Sequence, residues 1–285
     1  MTRRRHEWRP RDRTILLGER TLIIGILNVT PDSFSDGGRY DDPDRAFARA
    51  VEIEDAGADI IDVGAESTRP GSERLPEAEE LRRLIPVLKR LSGKLSIPIS
   101  VDTYKSGVAE KALENGVEII NDPSAFTFDP LLARIVGHSN AGFIMNHMRG
   151  TPESWAKLPP MKDPIGTIEA DLDAGVHRAV RAGIERARIV IDPGLGFGKR
   201  REQNSEILAQ LPHLARLELP ILVGPSRKAF LGQWHKSPDV AQLDLMTASA
   251  VTAAILGGAH IVRVHQVAEL KPVVQLADQI LSYTA

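Results

Sequence analysis

Eight times between residues 21 and 281 the chain repeats one unit: a short apolar run rich in β-branched residues, then a longer segment with apolar residues at helical spacing. The runs lie at 21–29, 59–63, 97–101, 117–120, 141–145, 188–191, 220–223 and 260–264. The helical segments lie at 44–56, 77–91, 106–114, 130–137, 164–182, 202–211, 240–256 and 268–281. Strict alternation of this kind demands parallel pairing with the helices outside the sheet, and near-continuous Val, Ile and Leu in the runs means that both sheet faces are buried. Eight units suffice to close an α/β (β/α)8 TIM barrel, which is the predicted fold; an open doubly wound sheet is the alternative with the same local pattern. No linker interrupts the repeat, so residues 14–285 read as a single domain.

Ahead of the repeat, residues 2–13 contain six Arg and little that is apolar, and residues 1–13 are expected to be a flexible basic tail. A possible hairpin over 14–22, turning at Gly18-Glu19, is placed under the barrel. No apolar stretch of the about 7–15 residues needed for a signal peptide follows the basic patch, and none reaches the roughly 18 of a membrane span. No membrane association and a cytoplasmic location are therefore expected. The 36 basic and 38 acidic side chains leave a net charge of −2, which speaks against a nucleic-acid partner. Cysteine is absent, excluding disulfides, thiolate metal sites and a Cys nucleophile, so any chemistry uses oxygen and nitrogen groups.

Those groups stand where this fold builds its sites, at the carboxyl ends of the strands. Asn28 ends the first run, Thr68 and Arg69 follow the second, and Asp102, Asn121 and Asp192 end the third, fourth and sixth. Lys228 follows the seventh, and Arg263 and His265 end the eighth. A lone Asp or Asn in such a place is more often a helix cap; convergence of this many on one rim argues for a binding site. Two carboxylates and an amide suit a flat heterocycle that presents N–H donors, because a carboxylate accepting two parallel bonds fixes orientation. Arg263 and His265 are two apart, face one side, and suit a phosphate, while the oxygen of Asn28 can coordinate a hard ion such as Mg²⁺. The glycines of 192–199 match neither a P-loop nor a dinucleotide fingerprint, since Pro193, Arg200 and Phe197 stand at required positions. They are expected to let a loop lie close to a flat ligand.

The stretch Gly25-Ile-Leu-Asn-Val-Thr-Pro-Asp-Ser-Phe-Ser-Asp-Gly-Gly38 resembles the N-terminal signature of the dihydropteroate synthases. Further motifs similar to that family recur in order: Glu66-Ser-Thr-Arg-Pro-Gly71, Ser100-Val-Asp-Thr103, Ile119-Ile-Asn-Asp122, Asp192-Pro-Gly-Leu-Gly-Phe-Gly-Lys199, Ser226-Arg-Lys228 and Arg263-Val-His265. The resemblance implies condensation of 6-hydroxymethyl-dihydropterin pyrophosphate with p-aminobenzoate, with Mg²⁺ as cofactor and a homodimer as the assembly. It further implies that Asp102, Asn121, Asp192 and Lys228 hold the pterin, and that Asn28, Arg263 and His265 hold the metal and pyrophosphate. Thr68, Arg69, Pro70, Phe197 and Ser226 join the substrate-binding set, with Phe197, Pro70 and the stem of Lys228 lining the second pocket. The catalytic residues implied are Asp102, Lys228, Arg263 and His265, and loops 30–38 and 69–74 are expected to close over the rim.

The chain departs from the family pattern at Asn146, Pro123, Ala125 and Gln266. A pterin-domain methyltransferase shares the barrel and ring recognition but has no use for Ser226-Arg227-Lys228 or Arg69. A non-catalytic pterin-binding protein has no use for Asn28, Arg263 and His265. A Schiff-base role for Lys228 is a further alternative, against which Arg227 beside it suggests an anion site.

Overall fold

The computed structural model describes residues 3–30, 43–67, 72 and 74–283. Ten strands and eight α-helices are seen among them. An antiparallel ribbon pairs β1 (His6–Trp8) with β2 (Ile15–Leu17). The remaining strands are β3 (Leu22–Asn28), β4 (Ile60–Gly64), β5 (Ile99–Asp102), β6 (Ile119–Asp122), β7 (Gly142–Asn146), β8 (Ile189–Asp192), β9 (Leu222–Val223) and β10 (Ile261–Val264), paired in parallel in the order β8-β7-β6-β5-β4-β3-β10-β9. A bridge between Ile191 and Ile221 joins the two ends of that order and closes the barrel. The helices are α1 (Pro43–Asp55), α2 (Glu77–Leu91), α3 (Ser106–Glu114), α4 (Leu131–His138), α5 (Pro164–Arg181), α6 (Arg201–Ala209), α7 (Val240–Leu256) and α8 (Val267–Ser282).

Local chemistry sets several of these boundaries. Asp163 caps α5 by accepting from Gly166 N–H at 3.0 Å, with Pro164 at the first helical position where its missing N–H costs nothing. Asp239 and Gln242 form a reciprocal capping box on α7. The predicted helix over 202–211 stops at Ala209 and continues as a 3₁₀ turn over Leu211–Leu217, because Pro212 cannot donate to an α-helical ladder. Pro220 and Pro225 leave β9 only two residues long for the same reason.

Alternation along the strands divides the core in two. Outward residues such as Leu27, Ile61, Val101, Phe143 and Ile191 pack against the helices, whereas Ile24, Ile60, Ile119, Ile144, Val190 and Ile261 fill the barrel axis. Trp8 and Leu17 belong to this inner cluster and seal the amino-terminal end. The segment read as a solvated tail is therefore a strand of the structure: Trp8 is fully buried and its Nε1 donates to Arg188 O at 2.9 Å. Its arginines are tied down as well, Arg3 donating to Thr21 Oγ1 (2.6 Å), Ala259 O (2.8 Å) and Asp278 Oδ1 (3.1 Å). The hairpin expected at Gly18-Glu19 turns instead between Trp8 and Ile15, because Trp8 is the residue with apolar surface to bury.

Candidate active site

Two residues beyond the apolar plug, the inward positions change character. β4 presents Asp62, β6 Asn121, β7 Asn146, β8 Asp192 and β10 Arg263. Asn28 and Asp102 flank Gly64 in register. A Cβ built on Gly64 would lie 3.7 Å from Asn28 Oδ1 and 3.9 Å from Asp102 Oδ2, so glycine keeps the space between these two oxygens clear.

Hydrogen bonds tie the ring together. Arg263 donates from Nε to Asp62 Oδ2 (2.6 Å) and from Nη2 to Asp102 Oδ2 (2.9 Å), and Asn121 Nδ2 donates to the same Asp62 oxygen (3.0 Å). Ser226 Oγ lies 2.8 Å from His265 Nδ1 and accepts from the His265 backbone N–H at 3.2 Å, which orients the imidazole. Asp192 Oδ1 accepts from Gly194 N–H at 2.7 Å. Lys228 donates to Leu195 O, and its ammonium stands 3.7 Å from the centroid of Phe197. The edge of Phe197 meets the buried ring of Trp155, centroids 5.6 Å apart at 84°.

Burial dominates the electrostatics. It raises the Asp102 carboxyl to about 7, with Arg263 pulling back and Asp62 pushing further in the same direction. Burial also raises Asp192, opposed by Lys228, and lowers Lys228 to about 7, opposed by Asp192. For Arg263 burial acts downward but the carboxylates of Asp62 and Asp102 outweigh it, and its net shift is upward. The site holds opposite charges close together in low dielectric, where a ligand able to replace one partner exchanges a costly contact for another of equal strength.

The structure thus brings Asn28, Asp102, Asn121, Asp192, Phe197, Ser226, Lys228, Arg263 and His265 to one end of the barrel. Thr68, Arg69 and Pro70, with most of loops 30–38 and 69–74, lie outside the described residues. Arg227 does not serve this site: its guanidinium makes a two-pronged pair with Asp244 of α7 at 2.7 and 2.8 Å. The glycines of 192–199 admit protein rather than leaving an open face. At Gly194, where φ is +67°, a Cβ would stand 1.9 Å from His147 O. Two positions that depart from the family pattern are in contact, Asn146 Nδ2 donating to the backbone oxygen of Pro123 at 3.1 Å.

Sequence reasoning missed three participants. Asp62 sits in mid-strand, and the signal was a carboxylate inside the otherwise apolar Ile60-Ile61-Asp62-Val63. Buried Lys199 pins two loops by donating to His147 O (2.7 Å) and Gly194 O (2.6 Å), burial driving its pKa well down. Trp155 had no periodic pattern to mark it.

The profile of the pterin binding enzyme family matches residues 24–265, and a dihydropteroate synthase of Synechocystis is 43% identical over 261 residues, covering 92% of this chain and 90% of that protein. The chain belongs to the dihydropteroate synthase family. Among solved structures of that family, a Clostridium difficile enzyme determined in the presence of pteroic acid is 42% identical, with a TM-score of 0.86 over 93% of this chain and 98% of that one. A Xanthomonas albilineans dihydropteroate synthase with 4-aminobenzoic acid is 35% identical, with a TM-score of 0.89 over 97% of this chain and 98% of that one.

Proposed function

We propose that the protein condenses 6-hydroxymethyl-7,8-dihydropterin pyrophosphate with p-aminobenzoate, releasing pyrophosphate and a proton and forming 7,8-dihydropteroate. The observation that carries this reading is the meeting, on one rim, of a heterocycle-recognising set (Asp102, Asn121, Asp192, Lys228) with Arg263 of β10 and His265 just beyond it. A pterin edge offers an amino group and a ring N–H to Asp192 and ring acceptors to Lys228 and to Asn121 Nδ2, whose reach is set by Asp62. As the carbon–oxygen bond lengthens, negative charge grows on the diphosphate beside Arg263 and His265. Positive charge spreads into the pterin over Asp102, whose ionised form a nearby cation favours. The neutral arylamine already has its lone pair, so no strong base is required. The aromatic face of Phe197 and the stem of Lys228 offer it a slot.

Mg²⁺ fits the donor set. Asn28 and Asp102 present hard oxygens across the clearing at Gly64, and this ion takes few protein ligands and completes its shell with phosphate and water. Asn28 would hold it, and when bound it supplies Lewis-acid stabilisation of the departing diphosphate. Mixing the two substrates with and without Mg²⁺ and measuring pyrophosphate and dihydropteroate tests the reading. Wild-type protein that binds pterin yet releases no pyrophosphate overturns it in favour of a silent binding protein, and methyl transfer from a methylated folate would point to the methyltransferase.

A homodimer belongs to the same reading. Helix α7 is apolar on almost every side, and Val240, Leu245, Leu256, Leu276, Ile280 and Tyr283 of the α7–α8 face are exposed. A helix with apolar residues all round calls for cover, and a second copy supplies it. Sedimentation of wild type against Leu245→Glu tests this, with a monomeric wild type as the contrary result. Among the described residues no helix is long and apolar enough to cross a membrane. We place the reaction in the cytoplasm because a diphosphate ester is too charged to cross a bilayer unaided.

A further inference from the structure

Asp62 has no exposed surface and touches both halves of the site. One oxygen, Oδ2, accepts from Asn121 Nδ2 at 3.0 Å and from Arg263 Nε at 2.6 Å; the other, Oδ1, is buried with no hydrogen-bond partner among the described residues. As architecture this is a poor choice. Its strand neighbours Ile60, Ile61 and Val63 are fully buried aliphatics, and another such residue at position 62 would extend the plug without the desolvation cost of a carboxylate. A single oxygen shared between two donors, with its twin unsatisfied, is what results when charge placement takes precedence over stability.

We propose that Asp62 is a positioning residue for the transfer reaction, holding Arg263 and Asn121 in one fixed relation so that the diphosphate and the heterocycle are bound in register with each other. The inference rests on the reaction proposed above. Among the described residues Arg263 has two carboxylate partners, Asp62 at Nε and Asp102 at Nη2. Asp102 lies at the rim and becomes engaged with the pterin; Asp62 lies beneath it, with no exposed surface. When Asp102 turns to the ring, the Nε anchor keeps the guanidinium plane in place and leaves its outer N–H groups for the diphosphate. A planar fork anchored at its stem presents its remaining donors in a set direction, which a lysine or an unanchored arginine does not. The same oxygen keeps the Asn121 amide from turning over, so its orientation toward the ring is held by the group that holds the diphosphate clamp. Among the described residues no hydrogen bond or ion pair joins Asp62 to Phe197 or Lys228, around which the p-aminobenzoate pocket is built, and this makes the two pockets separable by experiment.

Asp62→Asn keeps the shape and removes the charge. It is expected to lower kcat about 100-fold, the size of effect that a misplacement near 1 Å produces, with the KM for p-aminobenzoate within about twofold of wild type. Because Asp62 acts through Arg263, the losses must not multiply: adding D62N to R263M should cost less than about threefold beyond R263M alone. Wild-type kcat in D62N, a change confined to the p-aminobenzoate KM, or fully multiplicative losses in the double variant each overturn the proposal. Circular dichroism and thermal melting check folding. Should D62N not fold, Asp62→Glu keeps the buried charge but shifts its oxygen, and the same split in kcat and KM and the same cycle with R263M are read from it. A wild type without pyrophosphate release sinks the reaction itself; an active wild type with an indifferent D62N sinks only the role of Asp62.

Discussion

At Asp192 one oxygen already receives Gly194 N–H, so the other is the one available to a ligand. Asp192→Asn replaces that acceptor by an amide that can turn a donor toward ring N–H groups, and it removes the charge that assists the contact. Pterin affinity is expected to fall by roughly 2–4 kcal/mol; calorimetry with the pterin alone decides it, and an unchanged dissociation constant removes Asp192 from the ring site. Arg263 differs in kind. Charge on the leaving group grows as the bond breaks, so a contact there is worth more in the transition state than in the ground state. Arg263→Ala should therefore reduce kcat far more than it changes the KM for p-aminobenzoate, and the reverse pattern would move Arg263 to the other pocket.

Among the elements, the β1–β2 ribbon is the one whose weight is least apparent from composition. Trp8 fills the foot of the barrel beside Leu17, Leu22 and Val190 and satisfies its own N–H on Arg188 O. Truncating it opens a cavity beneath all eight parallel strands. Trp8→Ala is expected to cost about 3–5 kcal/mol of unfolding free energy, measured by urea titration. A loss below about 1 kcal/mol would show that the ribbon is an ornament and the plug self-sufficient. The rim elements, by contrast, are held by polar ties such as Lys199 to His147 O and Gly194 O, so the two ends of the barrel owe their order to different forces.

The whole molecule carries a pH signature from the clamp between its ribbon and its barrel. His260 is buried, accepts from Ile221 N–H at Nδ1 (3.1 Å) and faces Arg4 O through Nε2 (2.9 Å), which assigns the proton to Nε2 and leaves no room for a second. Burial lowers its pKa from 6.5 to about 4; Arg4 O pulls it upward, and neighbouring His6 and Arg3 push it further down. The unfolded chain binds this proton first as pH falls, so the stability is complete above 6.5 and is lost toward 4, by up to about 3 kcal/mol. Asp102, raised to about 7, and Asp122, raised to about 6 mainly by burial, act with the opposite sign, because the folded state holds protons the unfolded state releases. Comparing urea unfolding of wild type and His260→Gln isolates the histidine: the difference should shrink between pH 6.5 and 4, and a flat difference refutes the assignment.

Local pattern alone determined the eightfold alternation of strand and helix, and the bridge between Ile191 and Ile221 decided that the sheet closes. Period-two and helical spacing are written into neighbouring residues, and the boundaries of α2, α3 and α7 agree with those read from 77–91, 106–114 and 240–256. The rim was legible for a related reason, since polar residues ending apolar runs mark strand tips in any α/β chain. Tertiary structure decided the rest. The fate of Trp8 depended on a cavity whose lining runs along the chain from Leu17 and Leu22 to Val190 and Ile261, and the spacing of arginines around it could not reveal that. Asp62 reads as an anomaly within a strand until Arg263, 201 positions later, is brought to 2.6 Å from it. Burial is the largest influence on Asp102, Asp192 and Lys228, and burial is a property of the closed barrel that no stretch of residues possesses before it folds.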